Sequence, residues 1–125
     1  PNLKEIKEGM NIEFDDKNDR ELEKASSLLR EKINAECVLL TLSERGICIN
    51  TKKEFTHTLS YGGSVIDVSG AGDTVISVAS LLLAEGVSFN NISKISSLSG
   101  GIVCQKVGVV PIDKEELLTE AIKIF

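Results

Sequence analysis

The chain has 125 residues, of which 42% are hydrophobic, so it is long enough to bury a core in one small domain. Its formal net charge is −5 and its 14 basic residues are scattered along the chain, which argues against nucleic acid as a partner. No apolar run is long enough to span a bilayer and no signal peptide is visible, so we predict a cytoplasmic protein without a membrane partner.

The three cysteines are isolated from one another. Cys37, Cys48 and Cys104 each lie in an apolar stretch, with no C-x-x-C or Cys/His spacing between them. This pattern is not typical of a metal site or of a disulfide framework. We therefore interpret all three as reduced core residues.

The chain opens with Pro1-Asn2-Leu3-Lys4-Glu5, a pattern typical of the exit from a strand into a first helical turn. Asn2 and Glu5 have the spacing of a capping box, in which each side chain accepts a hydrogen bond from the other residue's main-chain N–H. The start is abrupt and carries no initiator methionine. We therefore expect the sequence to be a piece of a longer protein.

A helix is predicted over 20–33, with Asp19 as its cap. Its apolar face consists of Leu22, Ala25, Leu28, Leu29 and Ile33. The continuous aliphatic run 37–42 then predicts a strand that is covered on both faces in a parallel sheet. This succession of helix and buried strand indicates an α/β fold.

A turn at 43–46 is followed by two short strands, at 47–50 and 54–59, that can pair as a hairpin. The only histidine, His57, alternates with threonines on the second of these strands. We interpret it as a half-exposed strand residue and not as a ligand or a base.

Three helices are predicted in the second half of the chain. The first starts near Asp73, is apolar nearly all round, ends at Gly86 and should therefore be buried. The second covers 91–105, where Gly100-Gly101 allows close helix packing. The last begins with Asp113 and Glu116 as a capping box. No repeat or linker is visible, so residues 1–125 are predicted to form a single domain.

The first of these helices is preceded by the stretch Asp67-Val68-Ser69-Gly70-Ala71-Gly72-Asp73, which is the most informative part of the chain. The small residues Gly70, Ala71 and Gly72 let main-chain N–H groups approach a ligand. At a helix start these groups lack an intrahelical partner and lie at the positive end of the helix dipole. The pattern predicts an anion hole with Asp73 placed to accept a proton from an attacking hydroxyl. The alternative is a tight turn in which Asp73 is an ordinary first-turn helix acid.

Several stretches together resemble the ribokinase-like (PfkB-type) family of carbohydrate kinases. The central stretch is similar to the family's D-T-x-G-A-G-D signature, Pro1 to Glu5 to its P-N-x-x-E segment, and Thr41 to Gly46 to its T-L-G-x-x-G loop. Gly108 is similar to the glycine that follows the family's penultimate helix. The sequences of 67–77 and 101–111 look closest to the branch that phosphorylates heptose 7-phosphate on the way to ADP-heptose.

The resemblance implies the C-terminal portion of a ribokinase-like three-layer α/β/α sandwich, with the N-terminal sugar-binding and lid half absent from this chain. It implies ATP-dependent phosphorylation of a sugar or sugar-phosphate hydroxyl, with Mg²⁺ and possible K⁺ as cofactors and a homodimer formed through the lid half. Because the family places acceptor recognition in the absent half, we expect the isolated chain to be catalytically silent.

Individual roles follow from the resemblance. Asp73 would be the catalytic base, and the N–H groups from Gly70 through Ala71 and Gly72 would stabilise charge on the transferred γ-phosphoryl group. The residues implied in nucleotide binding are Thr41, Ser43, Gly46, Val107 and Gly108. Asn2 and Glu5 would act on Mg²⁺ through water, and main-chain oxygens at Asp67 and Ser69 would lie where relatives hold a monovalent cation. Two positions depart from the family, since Ser43 replaces a glycine and Ser97 replaces an asparagine.

The main alternative is a non-catalytic nucleotide-binding or subunit-association domain derived from a sugar kinase. A serine hydrolase using Ser69 is disfavoured because the sequence around it is not G-x-S-x-G and no acid stands at a suggestive place to orient His57. A P-loop enzyme is disfavoured because no G-x-x-x-x-G-K-[ST] stretch exists.

Overall fold

The structure is a computed structural model that describes residues 1–125 in two compact units, Pro1–Leu59 and Ser60–Phe125. The prediction that the whole chain is one domain stays a prediction. None of the helices combines the length and the apolar character that a bilayer crossing requires.

The first unit contains two helices and a three-stranded sheet. Its elements are α1 (Leu3–Met10), α2 (Asp19–Lys32), β1 (Cys37–Thr41), a 3₁₀ turn (Ser43–Arg45), β2 (Ile47–Thr51) and β3 (Phe55–Thr58). The strand order is β1-β2-β3 and both pairings are antiparallel. The predicted hairpin is confirmed, with Cys48 on β2 opposite His57 on β3.

The prediction of a parallel sheet around β1 is wrong for this chain. β1 pairs antiparallel with β2, with Leu39 opposite Ile49, and its residues alternate between half-buried and buried. The one parallel pairing is an isolated bridge between Asn2 and Thr41. An aliphatic run indicates how well a strand is covered, but it does not specify the direction of the neighbouring strand.

The core of the first unit lies between the two helices and the sheet. Its buried members are Ile6, Leu22, Ala25, Leu40, Leu42 and Cys48. The cap of α2 is Asn18, whose Oδ1 accepts the N–H of Arg20 at 3.0 Å, so the prediction of Asp19 as the cap is wrong. Leu28 and Ile33 of the predicted apolar face are exposed.

A buried polar network joins α2 to β2. Arg30 Nε donates to Oδ1 of Asn50 at 3.0 Å, and Nδ2 of Asn50 donates to Ser27 Oγ at 3.0 Å and to the carbonyl of Glu23 at 3.3 Å. The side chain of Asn50 is almost fully buried. Hydrogen bonding compensates the cost of burying these polar groups, and removing either partner would leave the other unsatisfied.

The second unit is helical, with α3 (Ala71–Ala84), α4 (Phe89–Cys104) and α5 (Lys114–Ile122). A Cβ atom on Gly100 of α4 would lie 2.8 Å from Val75 Cγ2 on α3, and one on Gly101 would lie 2.7 Å from the carbonyl oxygen of Tyr61. No side chain fits at these distances. The predicted close packing at the glycine pair is therefore confirmed.

The prediction that α3 is buried all round is wrong within this unit. Val75, Val78 and Ala79 are buried, whereas Ile76 and Leu81 are 54% and 64% exposed. The apolar composition shows that all sides of α3 tolerate burial, but α4 covers only one of them.

The start of α5 is capped from one direction. Asp113 accepts the N–H of Glu116 at 2.8 Å, as predicted. The carboxylate of Glu116 binds Nζ of Lys106 and does not reach back to Asp113, so the reciprocal half of the predicted capping box is absent.

All three cysteines are free, as predicted, but only Cys48 is fully buried.

Candidate functional site

The start of α3 is built around Gly70. Gly70 precedes the first helical residue and adopts φ +77°, in the left-handed region that favours glycine. A Cβ atom at this position would lie 3.0 Å from Cγ1 of Val109. Gly70 has no side chain that could accept a hydrogen bond from the first turn, so the helix begins without a side-chain cap.

The main-chain N–H groups at this helix start are largely unpaired. Those of Gly70, Gly72 and Asp73 have no acceptor in the structure, while that of Ala71 donates to the carbonyl of Val68 at 3.2 Å. The predicted anion hole therefore has three open donors. Together with the helix dipole they form a positively polarised surface suited to phosphate oxygens.

Asp73 is the third residue of α3 and is exposed. In a capping box its carboxylate would accept the N–H of Gly70, but neither group has a partner. Only the main-chain carbonyl of Asp73 is engaged, by Ser77 Oγ at 2.7 Å. Asp73 therefore occupies the position of a first-turn acid without acting as a cap, and its carboxylate remains available to accept a proton.

The carboxylate of Asp67 holds two loops together. Oδ1 accepts the hydroxyl of Ser69 at 2.7 Å and its N–H at 2.9 Å, and Oδ2 accepts the N–H of Gly108 at 3.0 Å. These bonds lower the pKa of Asp67. The Ser69 hydroxyl contributes most to this shift, the N–H groups of Ser69 and Gly108 contribute less, and burial has a smaller effect in the opposite direction. The main-chain oxygens of Asp67 and Ser69 accept no hydrogen bond.

Only part of this role of the Asp67 side chain is visible in the sequence. The Asp-x-Ser spacing predicts the local bond to Ser69, because aspartate commonly binds the main chain two residues ahead. The bond to Gly108 spans 41 positions and has no comparable sequence pattern.

The second unit gathers several of the predicted residues. Val107 is exposed, and Gly108 is fixed by its bond to Asp67. Lys106 anchors the same segment to Glu116 of α5. The predicted site residues that this unit brings together are Asp67, Ser69, Gly70, Ala71, Gly72, Asp73 and Gly108.

The first unit holds the remaining predicted residues at the end of β1. Asn2 and Glu5 form the capping box of α1, with both reciprocal bonds at 2.8 Å, so the capping interpretation is confirmed. Thr41 donates its N–H to the carbonyl of Pro1 at 2.8 Å, which places Asn2 beside Thr41. No group of three or more His, Cys, Asp or Glu residues is arranged to hold a metal ion directly.

The turn after β1 has an unusual backbone. Ser43 has φ +55° and Gly46 has φ +90°, and the turn is closed by a 2.8 Å bond from the N–H of Leu42 to the carbonyl of Gly46. The left-handed conformation at position 43 explains why glycine suits it, since serine carries a steric cost there. The second departure from the family, Ser97, lies buried in α4.

His57 has polar partners on both ring nitrogens. Nδ1 lies 2.8 Å from Asp19 Oδ1, and Nε2 lies 2.9 Å from the carbonyl oxygen of Arg45. The guanidinium of Arg45 in turn pairs with Asp16 at 3.2 Å. The expectation that no acid orients His57 is therefore wrong, since Asp19 does so. The contact is not visible in the sequence because Asp19 is distant from His57 and no spacing pattern links the two residues.

Comparison with known proteins gives one consistent family. The pfkB family of carbohydrate kinases matches residues 1–115. The bifunctional protein HldE of Desulfatibacillum aliphaticivorans is 38% identical over 118 residues, which cover 94% of this chain and 24% of that protein. The bifunctional protein HldE of Campylobacter concisus is 37% identical over 108 residues, covering 86% of this chain and 22% of that protein. This chain thus spans about a quarter of the length of the curated relatives it matches.

Among solved structures, phosphofructokinase-2 from Escherichia coli in complex with potassium superposes with a TM-score of 0.88 at 18% identity, over 99% of this chain and 40% of that one. Likenesses of this kind establish the ribokinase-like α/β fold that was predicted, with this chain corresponding to part of it. The motifs, the fold and the family match over 1–115 agree. The chain belongs to the pfkB family of carbohydrate kinases.

Proposed function

We propose that the protein transfers the γ-phosphoryl group of ATP to a hydroxyl of a sugar phosphate, heptose 7-phosphate. The observation that carries this proposal is the start of α3, where an uncommitted carboxylate, Asp73, stands beside three unpaired main-chain N–H groups. Phosphoryl transfer needs a proton acceptor and a set of donors for phosphate oxygens, and this helix start offers both.

Asp73 is the catalytic base in this proposal. The sugar oxygen forms a new bond to the γ-phosphorus, the bond between the γ-phosphorus and the bridging oxygen of ADP breaks, and the hydroxyl proton passes to the carboxylate. The N–H groups of Gly70, Gly72 and Asp73 donate to the γ-phosphoryl oxygens. Ala71 contributes less, since its N–H is already shared with Val68. Catalysis then rests on positioning and electrostatics.

The residues proposed for nucleotide binding lie in two separate segments of the chain. Thr41, Ser43 and Gly46 form the turn after β1, and Val107 and Gly108 form the exposed segment before α5. The carboxylate of Asp67 supports this role because it fixes the N–H of Gly108 at 3.0 Å.

The residues proposed for magnesium fit only an indirect contact. Asn2 Oδ1 and Glu5 Oε2 are committed to the capping box, while Glu5 Oε1 accepts no hydrogen bond. Glu5 can therefore bind a water of a hydrated Mg²⁺ without opening the helix start, which matches the tendency of Mg²⁺ to keep its waters. When bound with ATP, the ion neutralises charge on the phosphate oxygens.

The residues proposed for a monovalent cation fit as oxygen donors. The main-chain oxygens of Asp67 and Ser69 are free of hydrogen bonds, and oxygen ligands are those that a hard cation such as K⁺ prefers. The structure of Escherichia coli phosphofructokinase-2 in complex with potassium supports this choice of ion.

The choice of substrate rests on the sequence around the site. Residues 67–77 and 101–111 resemble the heptose 7-phosphate kinase branch, and the relatives with 37–38% identity carry the name HldE. Because the reaction consumes ATP, we place it in the cytoplasm. Self-association through a lid remains a prediction.

The test is a phosphorylation assay of the full-length protein with ATP and Mg²⁺. Heptose 7-phosphate is compared with fructose 6-phosphate and ribose at matched concentrations. We expect kcat/KM for heptose 7-phosphate to exceed the others by about a hundredfold or more, because a site built to bind particular hydroxyls rejects sugars that lack them. Preference for another sugar would contradict the substrate, and ATP binding without transfer to any sugar would favour the non-catalytic alternative.

A further inference from the structure

Asp67 is bonded through its main chain and through both of its carboxylate oxygens. The N–H groups of Ile66 and Asp67 donate to the carbonyl of Cys104, the last residue of α4, at 2.8 Å and 3.1 Å. The side chain extends the connection further, because Oδ1 accepts the N–H and the hydroxyl of Ser69 while Oδ2 accepts the N–H of Gly108. One residue therefore joins the end of α4, the loop before α3 and the segment before α5.

The last of these, the 107–112 segment, has little other polar support for its backbone. The N–H of Gly108 is the only main-chain group between positions 107 and 112 that has a hydrogen-bond partner. The valines on either side of Gly108 are exposed. Val109 packs toward the start of α3, since its Cγ1 would lie 3.0 Å from a Cβ atom on Gly70. The carboxylate of Asp67 is therefore the polar anchor of this backbone.

The contacts of Asp67 require acceptors on both side-chain oxygens. Donors from Ser69 approach one oxygen, and the N–H of Gly108 approaches the other. An amide in the same place would replace one acceptor with an NH₂ group that faces a main-chain N–H, so one of the two connections would be lost. Asp67→Asn is thus a nearly isosteric way to separate the loop before α3 from the 107–112 segment.

We propose that Asp67 is a positioning residue that fixes the distance between the 107–112 segment and the open start of α3, so that one ATP molecule can contact both. The inference rests on the proposed function, in which this segment binds the nucleotide and the open start of α3 binds its γ-phosphoryl group. Two contacts made by one ligand reinforce each other only when their separation in the protein matches that in the ligand. The side chain of Asp67 acts through Gly108 and the loop of Ser69, without contacting the reacting atoms.

The first test measures the bond between Asp67 and Gly108 without any ligand. Amide hydrogen exchange of the full-length protein should give Gly108 a larger protection factor than Val107 and Val109, whose N–H groups have no acceptor. In Asp67→Asn this protection should fall to the level of the two valines. Equal protection at the three positions in the wild type overturns the proposal, and this result does not depend on whether the protein binds ATP.

The second test compares ligands that use one or both parts of the site in the phosphorylation assay of the full-length protein. ATP uses both parts, ADP lacks the γ-phosphoryl group, and inorganic tripolyphosphate lacks the nucleoside. We expect Asp67→Asn to raise KM for ATP about tenfold or more, because the gain from making both contacts at once is lost. The inhibition constants of ADP and tripolyphosphate should change by less than about threefold, since each uses mainly one part of the site.

The control is Asp113→Asn, which makes the same chemical change at the cap of α5 and should leave all three constants at their wild-type values. An unchanged KM for ATP in Asp67→Asn, or an equal loss for all three ligands, overturns the positioning role while leaving the kinase assignment intact. Failure of Asp67→Asn to fold counts as an equal loss. If the wild-type protein transfers no phosphoryl group from ATP, the proposed function fails, and the positioning role fails with it.

Discussion

The starts of α1 and α3 solve the same physical problem in opposite ways. Every helix begins with N–H groups that lack an intrahelical partner. At α1, Asn2 and Glu5 close the start with two reciprocal bonds of 2.8 Å. At α3, Gly70 has no side chain to offer, and three N–H groups have no acceptor.

The difference separates a structural helix start from one available to a ligand. A capped start contributes about 1 kcal/mol to stability and leaves little for an external anion to bind. An open start lacks this stabilising contribution, and its N–H groups stay available to bind an anion. Variants of the full-length protein test whether stability and binding are divided in this way.

The largest effect is expected from Asp73→Asn at the open start. Asparagine has nearly the same shape but cannot accept the proton, so kcat should fall by about two to four orders of magnitude while ATP affinity changes little. Steady-state kinetics with heptose 7-phosphate measure this.

The matched control is Asp113→Asn at the start of α5, where asparagine caps as well as aspartate and kcat should not change. If Asp73→Asn keeps most of the wild-type turnover, Asp73 is not the base.

Gly72→Val should have the next largest effect. The site of its Cβ has no atom within 4 Å, so the free energy of unfolding should change by only about 0.5 kcal/mol. The side chain would obstruct phosphate approach, and kcat/KM should fall about ten- to a hundredfold.

Gly70→Val provides the contrast. Its φ of +77° and the nearby Val109 make it a folding defect, with a loss of roughly 1–2 kcal/mol in unfolding free energy. Equal stability losses in the two variants, measured by urea unfolding, would contradict this separation of roles.

At the capped start of α1, the variants Asn2→Ala and Glu5→Gln distinguish a capping role from a role in metal binding. Asn2→Ala removes the cap and should cost about 1 kcal/mol of unfolding free energy. Glu5→Gln preserves the capping box but removes the charge, so stability should hold while the Mg²⁺ concentration for half-maximal rate rises. An unchanged Mg²⁺ dependence in Glu5→Gln would leave Glu5 with a purely structural role.

The smallest effect on stability is expected at Asp67 and only in acid. Its folded-state pKa lies below the ordinary 3.8, so its stabilising contribution is present above that pH and is lost as pH falls through the lower, folded-state value. Urea unfolding of Asp67→Asn should therefore show a weaker acid dependence than the wild type. Glu115→Gln, which loses an exposed carboxylate with no hydrogen-bond partner, serves as the control.

Local sequence patterns predicted the helices, the hairpin and the caps formed by Asn2 and Asp113. These features depend on residues three or four positions apart, whose chemistry is visible in the sequence. The motif at 67–73 also predicted an open helix start, and Gly70 is the residue in it that adopts a positive φ.

Apart from the caps of α2 and α5, the errors involve contacts between distant positions. Neither the antiparallel pairing of β1 nor the bonds from Asp67 to Gly108 and from His57 to Asp19 follow from local spacing. The exposure of Ile76 on α3 has the same origin, because an apolar sequence does not specify which sides of a helix other elements cover.

A structure of the full-length protein with Mg²⁺ and a non-hydrolysable ATP analogue is the most direct test of the open helix start. We predict γ-phosphate oxygens within about 3.2 Å of the N–H groups of Gly70, Gly72 and Asp73, the usual limit for such bonds, and no phosphate at the start of α1. A γ-phosphate bound elsewhere, with these three N–H groups still without it, would contradict the claim that the open helix start is the phosphoryl-transfer site.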